Sequence, residues 1–311
     1  LYSEARFWAF ADRTNENHQD YLGRGNFIFR PGRRLELNGG ISYEDTEDPS
    51  TSEQQSVTGP RTPRTQLIGS LGGKWTFSPK TRFSLAGDFT EDRFKRVVNN
   101  RLEKNTFRVT AEGFRQIFPK TSVVLGYTFG GTDFTNRPRP PDDFNDDSLT
   151  HTVLAGIDLD PTAKLSGRLS AGATLRDFDQ PGRDNEVDVG VETELIYRPL
   201  ARTTLGLLLR REFADTSAVG EFAAVRTIFL ITGNQALTEK LALNLSAEAV
   251  SDDFVKSDRD DVTYTVNGGV IYQLLRWLGV GFQYQYEKKD SDVDVNDYEQ
   301  SQFIFIIAGR F

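Results

Sequence analysis

The sequence predicts an all-β chain: a transmembrane up-and-down antiparallel β-barrel of about 16 strands, one domain over residues 1–311. Three observations carry this. Almost every segment between loops alternates apolar and polar residues with period two, and none holds a helical period. Short turns and long polar stretches alternate along the whole chain. The last twelve residues, QSQFIFIIAGRF (300–311), place Phe303, Phe305, Ile307, Gly309 and Phe311 on one face of a strand that finishes on an aromatic.

The alternation reads in order. Leu35, Leu37, Gly39, Ile41 and Tyr43 stand against Glu36, Asn38, Gly40, Ser42 and Glu44. Leu67, Gly69, Leu71, Gly73, Trp75 and Phe77 stand against a polar set that ends Lys74 and Thr76. Val187, Val189, Val191, Thr193, Leu195 and Tyr197 oppose Glu186, Asp188, Gly190, Glu192 and Glu194. Val262, Tyr264, Val266, Gly268, Val270 and Tyr272 oppose Thr263, Thr265, Asn267, Gly269, Ile271 and Gln273. Short connections fall at 30–34, 77–81, 118–121, 160–164, 197–202, 234–240 and 274–277. Several hold proline, which suits a turn and removes a ladder donor. Long polar stretches fall at 12–20, 45–63, 91–105, 130–148, 177–185, 214–221, 251–261 and 288–297. The repeat unit is therefore a hairpin, and both termini belong to the short-turn side.

A soluble propeller or sandwich also repeats antiparallel strands, but has no reason to gather its long loops on one side. A transmembrane barrel does so, with short periplasmic turns, long extracellular loops and an even strand number. Segments of roughly 9–11 residues suffice to cross at a tilt. The closing strand is expected to pair with the first, because lipid tolerates no unpaired edge. Tyr43, Trp75, Phe77, Tyr127, Phe129, Tyr197, Tyr272, Trp277, Tyr284 and Tyr286 stand near strand ends, where interfacial aromatic girdles are expected.

Composition narrows the function. Net charge is −8, which argues against a nucleic-acid partner. Mean hydropathy is −0.48, and no run of ~18 apolar residues marks a membrane helix. Cysteine is absent, which removes disulfides and thiolate metal sites. The chain begins at Leu1 and reads as a mature or trimmed product.

The segment 260–311 carries YQLLRWL turning into GVGFQYQY, then an acidic loop and a last strand. It resembles the C-terminal region of the "putative β-barrel porin" family of bacterial outer-membrane proteins. The terminal phenylalanine also resembles the ending that outer-membrane assembly machinery reads. The first resemblance implies association with exopolysaccharide export, together with periplasmic and inner-membrane partners.

Taking the polar phase as inward gives a charged wall. Arg168 and Arg176 share a strand, and Asp188, Glu192 and Glu194 lie on the next. Arg210, Arg226 and Glu248 follow on the three after that, and Arg24, Glu36, Lys74, Arg108 and Glu112 precede them. Arg30, Arg82, Asp88, Asp158 and Gln283 are further inward candidates. Such a wall can set a field that selects a polar solute, or can pair across strands to stiffen a wet surface. Only an inward-folded loop could plug the lumen, and 45–63 and 130–148 are long enough. Asp290, Asp292, Asp294 and Asn296 alternate as in a Ca²⁺ loop, but Gly at the sixth position and Glu at the twelfth are missing. The acidic loops are equally a surface bridged to lipopolysaccharide by divalent ions.

His18 and His151 lie far apart, and no Ser–His constellation is readable, so the chain is expected not to be an enzyme. The expected function is an outer-membrane channel for polar material, foremost exopolysaccharide export. A diffusion porin for small hydrophilic solutes and a scaffold barrel around a partner protein are the alternatives.

Overall fold

The computed structural model describes residues 2–8, 18–48, 62–95, 102–135, 147–159, 164–179, 183–216, 221, 223–293 and 296–309. They form β1 (Tyr2–Trp8), β2 (His18–Phe29), β3 (Leu35–Asp48), β4 (Thr62–Ser78), β5 (Thr81–Phe94), β6 (Lys104–Phe118), β7 (Thr121–Phe134) and β8 (Ser148–Leu159). There follow β9 (Leu165–Phe178), β10 (Glu186–Leu200), β11 (Thr203–Ala214), β12 (Ala224–Ala236), β13 (Leu241–Phe254), β14 (Asp260–Leu275), β15 (Leu278–Ser291) and β16 (Tyr298–Gly309). Each pairs antiparallel with its sequence neighbour in one 16-stranded sheet, ordered β1 to β16.

The hairpin repeat follows from local chemistry. The turns at 79–80, 119–120, 201–202 and 276–277 have two residues each. In all four hairpins the ladder shifts register just before the turn, at Thr76/Ser78, Gln116/Phe118, Tyr197/Leu200 and Gln273/Leu275. One such irregularity holds Pro199, which cannot donate to a ladder and is tolerated at a bulge.

From β2 onward the strands run 12–17 residues, longer than the 9–11 expected from bilayer thickness. The extra length lies at the long-loop end, in segments whose polarity suggested loops. There, polar side chains zip the hairpins upward. Arg226 holds Asp252 at 2.6 Å on the neighbouring strand, and Arg93 donates to Asn105 at 2.9 Å. Residues 91–94, 104–105, 251–254 and 260–261 of those stretches are strand, and the connection after β13 is only 255–259.

The apolar phase faces outward. Leu71, Leu125, Val153, Phe229, Val266, Phe303 and Phe305 are among the large apolar side chains left exposed. Exposed apolar rows on every side of a sheet are stable only against lipid. Leu71→Arg, in the middle of the β4 row, is expected to destabilise the barrel by ~2–4 kcal/mol. Denaturant unfolding from phospholipid vesicles measures it, and a neutral result would mean that this face does not meet lipid.

Closure also departs from expectation. Among the described residues β1 and β16 do not pair, so the sheet has two edges. β1 pairs with His18–Arg24 of β2.

Candidate functional site

The even-numbered residues of β2–β13 face inward, opposite the exposed apolar row. On β14 and β15 the phase reverses, and Asn267, Gln283 and Gln285 face inward. This inner face divides into two halves of different chemistry.

The half from β5 to β11 is charged and sharply curled. Arg82 on β5 bonds Asp158 on β8, and Arg168 on β9 bonds Glu112 on β6. Each pair skips two strands. Neighbouring strands lie ~4.8 Å apart, so β6 and β9 are ~14 Å apart along the sheet. Their side chains meet only because the sheet turns in on itself. The inward Phe114 is buried beneath both guanidiniums, 4.5 Å from Arg82 and 5.3 Å from Arg168. Ser84 donates to the second oxygen of Glu112 at 3.0 Å.

Glycine makes the bend possible. A Cβ on Gly172 would stand 1.9 Å from the carbonyl oxygen of Val153, and one on Gly156 would stand 2.0 Å from that of Leu169. The β8 and β9 backbones thus approach as only glycine permits. Gly167, at φ +123°, takes a conformation that L side chains rarely adopt.

At the long-loop end, Asp215 follows β11 and reaches across the lumen. It accepts from Lys104 of β6 at 2.6 Å, from Thr132 of β7 at 3.4 Å and from Arg176 of β9. Burial alone would raise the Asp215 pKa, but the two cations outweigh it and hold the carboxyl well below the usual carboxylate range. Its contribution to stability is therefore present above the unfolded value of about 3.9 and is lost as pH falls through the lower folded value. Between this cluster and the Arg168–Glu112 pair lies a cavity of about 410 Å³. Its walls carry Asp88, Arg108, Glu192, Arg210 and hydroxyls including Thr110 and Thr152.

The half from β13 to β16 is amide-rich. Gln283 donates to Asn267 at 3.5 Å, and Asn267 donates to Ser246 at 3.2 Å. Asn244, Thr265, Gln285 and Gln302 extend the same face.

The sequence-predicted residues fall as follows. Glu112, Arg168 and Arg176 join the cross-lumen ties. Arg24 pairs with Glu44 at 3.7 Å, Glu36 with Arg30 at 2.6 Å, Asp188 with Arg211 at 2.9 Å and Arg210 with Glu212 at 3.9 Å. Arg226 pairs with Asp252. Lys74, Arg108, Glu192, Glu194 and Glu248 make no ion pair among the described residues. Glu194 lies opposite Arg168 in the ladder, yet Arg168 turns across the lumen instead. Sequence reasoning passed over Asp215, Lys104, Thr132 and Phe114. Asp215 sits in a polar loop with nothing to distinguish it from its neighbours.

The Ca²⁺ candidates Asp290 and Asp292 have partners within the chain. Asp290 binds Lys288 at 2.7 Å, and Asp292 accepts the Asp260 backbone N–H at 2.9 Å. Asp294 lies outside the described residues, among which no three metal-binding side chains cluster. Loop residues 49–61 and 136–146, the centres of the two plug candidates, also lie outside them. His151 faces outward in an aromatic cluster, with Nδ1 2.8 Å from the Tyr127 hydroxyl and its ring 5.0 Å from Phe129. The His18 side chain is outside the described set.

No curated protein sequence matches the chain. Among solved structures, the FrpB iron transporter from Neisseria meningitidis (F3-3 variant) aligns with TM-score 0.50 at 10% identity, over 88% of this chain and 53% of that one. The ferric yersiniabactin uptake receptor FyuA from Yersinia pestis gives 0.46 at 11% identity, over 89% and 52%. A structure titled "Bacterial polysaccharide outer membrane secretin" gives 0.46 at 13%, over 96% and 92%. The chain thus spans about half the length of FrpB and FyuA. The likeness to FrpB is one of fold. The family described as "Putative beta-barrel porin 2" matches residues 1–310. Family and fold together make this an integral outer-membrane β-barrel. The chain belongs to the putative beta-barrel porin 2 family.

Proposed function

We propose that this outer-membrane channel exports an exopolysaccharide, working with periplasmic and inner-membrane parts and anchored at its acidic extracellular rim to lipopolysaccharide through divalent ions. The observation that carries the reading is the division of the inner wall. The β5–β11 half ties Arg82 to Asp158, Arg168 to Glu112 and Arg176 to Asp215, which narrows its own lumen. The β13–β16 half offers Asn244, Asn267, Gln283, Gln285 and Gln302. Amides both donate and accept, which suits the hydroxyls of a saccharide without the grip of a full charge. A polymer can slide along such a surface, because each contact is weak and repeated.

Single-channel conductance in a planar bilayer, with and without added polysaccharide, tests the proposal. Stepwise transient block by polymer is the expected outcome. A steady conductance indifferent to polymer would overturn export in favour of a diffusion porin. That second reading draws on Arg108 and Glu192, which face the cavity without ion pairs and could act on small charged solutes.

A further inference from the structure

The contacts of Asp215 outline a binding site whose occupant is the chain itself. Arg176 is 3% exposed and Ser148 is 5% exposed. Arg176 donates Nε to Ser148 Oγ at 3.1 Å, which fixes the guanidinium and directs Nη2 to the Asp215 carboxylate. Lys104 approaches the other carboxylate oxygen at 2.6 Å, beside the Thr132 hydroxyl. Phe178 lies 5.3 Å from the Arg176 guanidinium, and Phe134 lies 5.9 Å from the Lys104 ammonium. Both rings are buried. Two cations and a hydroxyl drawn from three strands, with one cation locked by a buried serine, form an oxyanion cradle. Nothing in the cradle requires that its carboxylate come from residue 215.

We infer that Lys104, Thr132 and Arg176 form an oxyanion site at the extracellular end of the lumen, which Asp215 fills until a carboxylate or phosphate group on a passing solute displaces it. The inference rests on the channel reading for its purpose, though the site itself does not. Asp215 is tethered beside the cradle, so its effective concentration is high and stray anions compete poorly. An anionic group held against the cradle by the rest of a larger solute competes better. Exchange frees the end of β11 from β6 and β9, which widens the mouth of the cavity as the solute arrives. Asp215 is thus an internal placeholder: it spares Arg176 burial without a counter-ion and keeps the mouth narrow when nothing is passing.

The test uses the full chain in detergent and in vesicles, with inorganic phosphate, glucuronate and neutral glucose as probes. Asp215→Ala should lower the temperature at which the barrel loses its heat-modifiable gel mobility. Phosphate and glucuronate should restore it, and glucose should not. Wild type should respond to none of them, and Asp215→Ala combined with Arg176→Met should lose the rescue. Rescue by glucuronate beyond that by phosphate would assign the site to a saccharide carboxylate, and the reverse order to a free inorganic anion. A folded Asp215→Ala that ignores both anions overturns the site. Where Asp215→Ala fails to fold, Asp215→Asn preserves the shape without the charge and should show the same rescue. Conductance is read separately. Rescue without conductance in any form would keep the site and reject the channel reading, whereas conductance unchanged by Asp215→Asn would reject the narrowing role.

Discussion

Gly172→Val should prevent the barrel from assembling, while Gly69→Val should be tolerated. The two glycines look alike in sequence, each in the middle of an alternating strand. Their surroundings differ. A Cβ on Gly69 meets nothing within 4 Å, and it stands on the outward face between the exposed Ile41 and Phe89. A Cβ on Gly172 would stand 1.9 Å from the carbonyl oxygen of Val153 and 2.9 Å from its carbon. That obstacle is backbone, held in the β8–β9 ladder through Val153↔Ala173 and Leu154↔Gly172, so no rotamer change relieves it. Overpacking that side chains can absorb costs ~1–3 kcal/mol. Here β8 and β9 must separate, and the cost should exceed that range. Separation would also pull Arg168 away from Glu112 and Arg176 away from Asp215, since both arginines lie on β9. The fraction of refolded protein with heat-modifiable mobility is the measurement. Equal folding of the two valine variants would mean that the sheet is not pinched at β8–β9.

Periodicity made the fold legible because lipid imposes a simple rule on strands: one face apolar, the other polar, and the backbone paired throughout. The strand sequences around Leu35, Leu67, Val187 and Val262 display the rule, so their faces can be assigned without coordinates. Polarity misled at the long-loop ends. Asp252 and Arg93 look like loop residues until their cross-strand partners are known. The candidate site was legible in half. Phase alone placed Glu112, Arg168 and Arg176 on the inner face, because phase is local. It could not tell which charges meet, because that depends on how tightly the sheet curls. Glu194 and Arg168 illustrate the point: adjacent strands bring them opposite one another, and curvature gives Arg168 to Glu112 instead. Asp215 was illegible for the same reason, since it lies 111 residues from Lys104 and 39 from Arg176.

Arg168→Met should both weaken the barrel and open the charged half of its lumen. Arg168 binds Glu112, lies 3.9 Å from Asp158 and covers the Phe114 ring. Its removal leaves the Glu112 carboxylate with Ser84 as its remaining hydrogen-bond donor among the described residues. Breaking a fully buried ion pair costs ~3–5 kcal/mol, most of it the penalty on the stranded charge. The pair is less sheltered than that, with side chains 25% and 19% exposed, and lumen water can partly solvate the carboxylate. A loss of ~1–3 kcal/mol is therefore expected in denaturant unfolding. Adding Glu112→Gln removes the stranded charge and should recover part of that loss, as a double-mutant cycle requires of coupled neighbours. Conductance should move the other way. Arg168 reaches from β9 to Glu112 on β6 at the edge of the cavity, so both the single and the double variant should conduct more than wild type. The combination separates the two roles of the pair. If stability returns in the double variant while conductance stays high, the ion pair is a constriction whose charges matter mainly to each other. If conductance is unaltered in both, solute does not pass through the charged half, and the amide-lined face of β13–β16 is the whole of the route.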